Sequence, residues 1–300
     1  MKKKTYLFAL MAMALALGSC SDNENGIGGE ASKYITVSTN IGSMTRVATD
    51  ADGSQTFEEG DKISVYAWTG DATVAPETRE RVVNNAINKL TNGSWVSTPQ
   101  MLWKNNRDKH YFIGVYPTAA ISDLSAGEYT FDVNKQTESD LLVAVNKDGL
   151  SYNVDEQQTV PLTFTHVMAK LVVNLTYKNQ WGGIPTVEKV VVGNAAKEAT
   201  INYLTKVVTP STTAKEDFSL PEITENTKYV SVIIPQEEVK QLTIVIGGKN
   251  FVYDNGTPFK LESGKITTVN LEVGRDEIKL GDVKITDWED GSTFSGEAIN

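Results

Sequence analysis

The sequence predicts an all-β protein. Apolar and polar residues alternate along most of the chain, turn residues separate the alternating runs at short intervals, and no amphipathic helix longer than two turns stands out. Glu77 to Leu90 is the one helical candidate. Many short strands at this spacing fit sandwiches or barrels with antiparallel pairing.

The strands follow in order. Ile35, Val37 and Ile41 alternate with Thr36, Ser38 and Asn40, the pattern of a strand with one buried face. After the turn residues Glu59-Gly60-Asp61, Ile63, Val65 and Ala67 alternate with Ser64, Tyr66 and Trp68. Tyr111 to Tyr116 is aromatic and β-branched, and Pro117 stops it. From Thr165 to Leu175 the odd positions Val167, Ala169, Leu171, Val173 and Leu175 form one apolar face, which predicts a single long strand. Val230 to Ile234 ends at Pro235, Leu242 to Ile246 ends at Gly247-Gly248, and Thr267 to Val273 buries Val269, Leu271 and Val273. Ile278 and Leu280 sit at even positions but Val283 and Ile285 at odd ones, so a bulge or short turn is expected at Gly281-Asp282.

The first nineteen residues have the layout of a secretory signal: Lys2, Lys3 and Lys4, an apolar run from Tyr6 to Leu17, then small residues. The run is shorter than the roughly 20 apolar residues of a transmembrane helix, and no later stretch approaches that length. Leu17-Gly18-Ser19-Cys20 resembles the lipobox of bacterial lipoproteins, which implies a cut between Ser19 and Cys20 and acylation of the Cys20 thiol as a membrane anchor. Cys20 is the only cysteine, so a disulfide within the chain is excluded and stability must come from apolar cores. Three of the 28 Lys and Arg residues lie in the signal, which leaves 25 against 38 Asp and Glu, a net of -13 that argues against nucleic acid or anionic lipid as a partner. About 255 residues remain beyond signal and tether, enough for two ordinary domains. The least regular interior stretch, Asn146 to Gln158, places their boundary at residues 157/158.

No catalytic, cofactor-binding or metal-binding set emerges. Only two histidines, His110 and His166, are present, too few with the lone cysteine for a zinc site of those ligands. His110 follows the charged run Lys104 to Lys109 and reads as an exposed turn residue; His166, on a strand face beside Lys170, reads as packed or hydrogen-bonded. Asp50, Asp52 and Gly53 lack the spacing of a calcium loop and read as a polar linker. Asp287, Glu289 and Asp290 read as the solvated end of a strand, and no two carboxylates are singled out as a glycosidase pair. Trp68, Trp95, Trp103, Trp181 and Trp288 read as core or turn packing, with a sugar-stacking platform as the alternative.

Several segments in order resemble the fimbrillin family, the FimA-like and Mfa-like pilins and accessory pilus lipoproteins of Bacteroidales. They are Phe57 to Tyr66, Trp103 with Tyr111 to Pro117, Asp140 to Ala144 and, most specifically, Val160-Pro161-Leu162-Thr163-Phe164-Thr165-His166-Val167-Met168-Ala169-Lys170-Leu171. The resemblance implies two transthyretin-like antiparallel β-sandwiches in tandem, residues 47–157 and 158–300, in a non-enzymatic subunit of a surface pilus. It implies that Ser21-Asp22-Asn23-Glu24 is the export tag for an outer-membrane lipoprotein exposed at the cell surface. It further implies that an arginine-specific protease cuts between Arg46 and Val47, removing a propeptide, residues 20–46, that carries one strand of the first sandwich. A sandwich lacking a strand exposes apolar pockets and unpaired backbone, a template for another chain's strand. The expected donor is the stretch from Val283 to Asn300, with Val283, Ile285, Trp288, Phe294 and Ile299 as its apolar side chains, although Asp287, Glu289, Asp290 and Gly291 interrupt the alternation. The partners so implied are other pilus subunits, the outer membrane and a host or glycan ligand. Two alternatives stay open: an uncleaved anchor or tip subunit, and a surface glycan-binding lipoprotein.

Overall fold

The computed structural model describes residues 33–42, 56–153, 158–254 and 256–288. Among them helix is confined to three short turns, Thr78–Glu80, Gln136–Ser139 and Asn179–Trp181, and the rest of the regular structure is strand. The protein is all-β.

The first strands are β1 (Thr36–Ile41), β2 (Lys62–Thr69), β3 (Arg81–Thr91), β4 (Ser94–Thr98), β5 (His110–Tyr116), β6 (Gly127–Thr130), β7 (Leu142–Leu150) and β8 (Thr159–His166). All but β6 join one sheet in the order β1-β8-β7-β5-β2-β3-β4. This sheet is apolar on both faces. From β2, Ile63, Val65 and Ala67 enter one core with Ile35, Phe112 and Phe164, while Tyr66 and Trp68 enter a second core with Met168 and Leu171. A sheet with a solvated face would need polar residues at every second position of β2, and Tyr66 and Trp68 are not polar enough to serve.

The remaining strands are β9 (Ala169–Tyr177), β10 (Val187–Ala196), β11 (Glu198–Asn202), β12 (Val207–Pro210), β13 (Lys215–Ser219), β14 (Glu222–Thr224), β15 (Lys228–Ile233), β16 (Gln241–Ile246), β17 (Lys249–Asp254), β18 (Lys265–Val273) and β19 (Ile278–Asp287). Together with β6 they form three sheets, β13-β10-β16-β17, β12-β11-β6 and β14-β15-β9-β18-β19, around the second core. Most pairs are antiparallel as expected, but β1 with β8 and β9 with β18 run parallel.

Two expectations are corrected here. The single strand across Thr165 to Leu175 is two: β8 pairs with β7 and β1, whereas β9 pairs with β15 and β18. The chain changes sheet at Val167–Met168, and the signal lies in the phase, since β8 buries the even positions Val160, Leu162 and Phe164 while β9 buries odd ones. β8 thus lies in the seven-stranded sheet beside its partners β7 and β1. Glu77 to Leu90 is a 3-10 turn followed by β3. Burial along β3 falls on 81 and 83, then on 86 and 88, because Asn85 at φ 58° inserts a bulge opposite β2; two strand halves shifted in phase mimic a helical period. The bulge expected at Gly281-Asp282 is present, those two residues lying opposite Asn270 between the pairs Leu271–Leu280 and Val269–Val283.

His110 is not an exposed turn residue. It is fully buried at the start of β5, its Nε2 accepting the Lys104 N–H at 3.0 Å, its Nδ1 3.1 Å from the Asp108 carbonyl, and Trp103 packed edge-on against its ring. Burial pushes its pKa below the ordinary 6.5, with the Asp108 carbonyl opposing part of the shift. A proton that the unfolded chain accepts more readily than the folded one destabilises the fold as pH falls. Stability is thus expected to hold above about pH 6.5 and to decline on acidification through the lowered folded pKa, and His110→Gln should flatten that part of the profile in denaturant titrations.

Candidate functional site

The site is the slot that β1 fills. β1 is an edge strand, yet Ile35 is 1% and Val37 6% exposed, because the strand closes the first core. On one side it follows β8 in register from Thr36–Thr159 to Ile41–Phe164, and Gly42 N–H donates to the Phe164 carbonyl at 2.7 Å. On the other side the Ile35 N–H donates to the Met101 carbonyl at 3.0 Å, and the Trp103 N–H donates to the Lys33 carbonyl at 3.2 Å. The opposite edge of the sheet curls round to meet it, the Trp95 indole N–H of β4 donating to Thr39 Oγ1 at 3.0 Å.

The slot's lining explains its shape. Val160, Leu162 and Phe164 point inward from β8, with Met101 and Trp103 across from them. Phe57 seals the end near Ile41, its ring 5.1 Å from Phe164 and 5.3 Å from Trp95 in edge contacts. Burying Ile35 and Val37 contributes roughly 1.5–3 kcal/mol each. Without β1 the slot would present an apolar trench along one side of β8 with that strand's backbone groups unpaired. Sequence reasoning found β1 as a strand, β8 only as part of the motif Val160 to Leu171, and Trp103 without its neighbours; the run Met101-Leu102-Trp103 between polar residues was the available signal for that wall.

The expected donor residues divide. Val283 and Ile285 lie on β19, which pairs with β18 of its own chain as the edge of the five-stranded sheet. They are 38% and 40% exposed, so they add little to any core. Trp288 is different: it is 9% exposed and its ring stacks on His166 at 4.1 Å and 5°. The Trp288 N–H donates to the Gly264 carbonyl at 3.0 Å, and the Lys170 ammonium lies 5.7 Å from its ring. His166 is the packed, hydrogen-bonded residue expected, its Nδ1 2.8 Å from Asp140 Oδ1. Asp287 pairs with Lys265. Ser19, Cys20, Arg46, Val47, Asp50, Asp52, Gly53, Glu289, Asp290, Phe294 and Ile299 lie outside the described residues.

The tryptophans are engaged in packing. Trp68 and Trp103 are buried, and Trp95 and Trp181 are half-buried, with the Trp181 indole N–H donating to the Val273 carbonyl at 2.9 Å and Arg275 over its ring. Among the described residues no group of three or more His, Cys, Asp or Glu side chains could hold a metal ion, and no helix is long and apolar enough to cross a membrane.

Comparison with known proteins gives the family. The chain is similar to a candidate cell adhesion protein of Bacteroides uniformis, at 18% identity and a TM-score of 0.63 over 86% of this chain and 100% of that one. A candidate cell adhesion protein of Bacteroides ovatus aligns at 19% identity and a TM-score of 0.61, over 86% of this chain and 98% of that one. A fimbrial protein of Bacteroides vulgatus aligns at 13% identity and a TM-score of 0.51, over 75% and 92%. No protein of curated function matches the sequence. These likenesses establish the fold, and the model of the fimbrillin-like family matches residues 45–288. The chain belongs to the fimbrillin-like family.

Proposed function

We propose that the chain is a non-enzymatic structural subunit of a cell-surface pilus, built as two tandem sandwiches and assembled by strand exchange through the β1 slot. The observation that carries this reading is β1 itself. An edge strand delivers two core side chains, runs parallel to β8, and is followed within five residues by Arg46. Removal of the segment ending at Arg46 takes the strand away and leaves the trench along β8 for a strand from a neighbouring subunit. The stretch Val283 to Asn300 is the donor, and the poor burial of Val283 and Ile285 is what a strand with a second binding place would show. Acylated Cys20, exposed after cleavage behind Ser19, anchors the unprocessed chain in the outer membrane.

A second reading rests on a separate observation. β19 forms an eight-pair ladder with β18 in its own chain, and a chain that kept both β1 and β19 in place would be an anchor or tip subunit. The test is the N-terminal sequence and assembly state of native protein sheared from cells. A chain beginning at Val47 that runs as a ladder of multimers in non-boiled gels is the expected result. A chain beginning at acylated Cys20 and running as a monomer would replace shaft assembly by the anchor reading. Neither reading needs an exposed aromatic platform, and a glycan screen with Trp95→Ala and Trp181→Ala controls separates them from sugar binding.

A further inference from the structure

β12 is the edge of the sheet β12-β11-β6, and its free side borders an apolar groove of about 520 Å³. The Ser211 N–H donates to the Glu198 carbonyl of β11, so by strand alternation Thr209 and Val207 direct their backbone groups to β11 and Val208 directs its own into the groove. Val207 is 54% exposed at the rim. The opposite wall is Pro235 to Glu238 with Leu261 to Ser263.

That wall leads directly to the point where the described chain stops. Ser263 precedes Gly264, whose carbonyl accepts the Trp288 N–H at 3.0 Å. The ammonium of Lys206, which lines the groove, is held by Thr165 Oγ1 at 2.9 Å. Trp288, from which residues 289–300 continue, is therefore fixed one residue from the groove wall at Ser263. Six extended residues span about 20 Å, which brings Phe294 within reach of the apolar lining.

We propose that residues 289–300 dock in cis in this groove, adding a strand to the free edge of β12 with Phe294 in the apolar cavity. The docking itself is independent of strand exchange; its consequence, that the donor is parked until the slot of another subunit competes for it, rests on the function proposed above. A parked tail also covers an unpaired sheet edge on the unassembled subunit.

Hydrogen exchange on the uncleaved monomer tests this. The Val208 amide of the full chain is expected to exchange at least tenfold more slowly than in a chain ending at Trp288. Val207→Asp in the full chain should reproduce the fast exchange, and because Val207 is exposed the variant should keep its melting temperature. Equal exchange in full and shortened chains overturns the proposal. Protection that appears only as concentration rises overturns it in favour of a tail from a second copy. Polymerisation of cleaved protein is scored separately, so failure of strand exchange and failure of docking are distinguishable.

Discussion

Phe164→Ala is expected to lower the unfolding free energy by about 3–5 kcal/mol, the range for removing a buried aromatic from a packed core. The ring is fully buried and meets Phe57 edge-on at 5.1 Å. Its space is made by a glycine: a Cβ at Gly114 would stand 2.6 Å from Phe164 Cζ, so β5 comes close enough for ring and backbone to pack directly. Nothing nearby can close the resulting void, because Leu162 is itself buried and Gly114 has no side chain to offer. Phe164 is also the last β8 residue paired with β1, opposite Ile41, so the loss reaches the slot as well as the core. Urea denaturation checks the value, with exposed Thr163→Ala expected within about 0.5 kcal/mol of the parent. A deficit under about 1 kcal/mol for Phe164→Ala would mean the first core is loosely packed.

Period-two alternation identified β1, β2, β5, β9, β15, β16, β18 and β19, because a half-buried strand must alternate and few other structures do, but it passed over the short or bulged strands between them. It was least informative where two sheets share a strand run. Across Thr165 to Leu175 the apolar face looks continuous, and only the even-to-odd switch between Phe164 and Val167 marks the crossing from β8 to β9. Asn84 and Asn85 hid β3 for a related reason, since a bulge converts a period of two into spacings of two and three. His110 was misread because a charged run precedes it; the ring's burial depends on Trp103 and on the Lys104 N–H, contacts that bridge a tight loop and leave no pattern in the sequence. Half of the candidate site was legible: β1 shows its alternation and β8 its motif. The far wall at Met101–Trp103 was not, because it meets Lys33 and Ile35 from more than sixty positions away.

Ile35→Asp is expected to undock β1 while the rest of the fold persists. Ile35 is 1% exposed, so the substitution removes roughly 1.5–3 kcal/mol of apolar burial and places a carboxylate among the apolar side chains of the first core. Charging that site adds several kcal/mol more unless the strand leaves. Leaving is the less costly route, because β1 is an edge strand, and its departure breaks one ladder with β8 and the bonds to Met101 and Trp103 without disturbing the order β8-β7-β5-β2-β3-β4. The β1 amides should then exchange at least a hundredfold faster than in the parent, and Trp95, deprived of Thr39, should shift its emission to the red. The vacated trench makes a sharper expectation: a synthetic peptide of residues Tyr34–Gly42 should bind the Ile35→Asp chain and leave the parent unbound, since in the parent the slot is full. A variant whose β1 amides stay as protected as the parent's would show that β1 is fixed by its backbone bonds rather than by Ile35 and Val37. In that event, removing β1 would need a protease to destabilise more than one edge strand, and assembly through the slot would lose its physical basis.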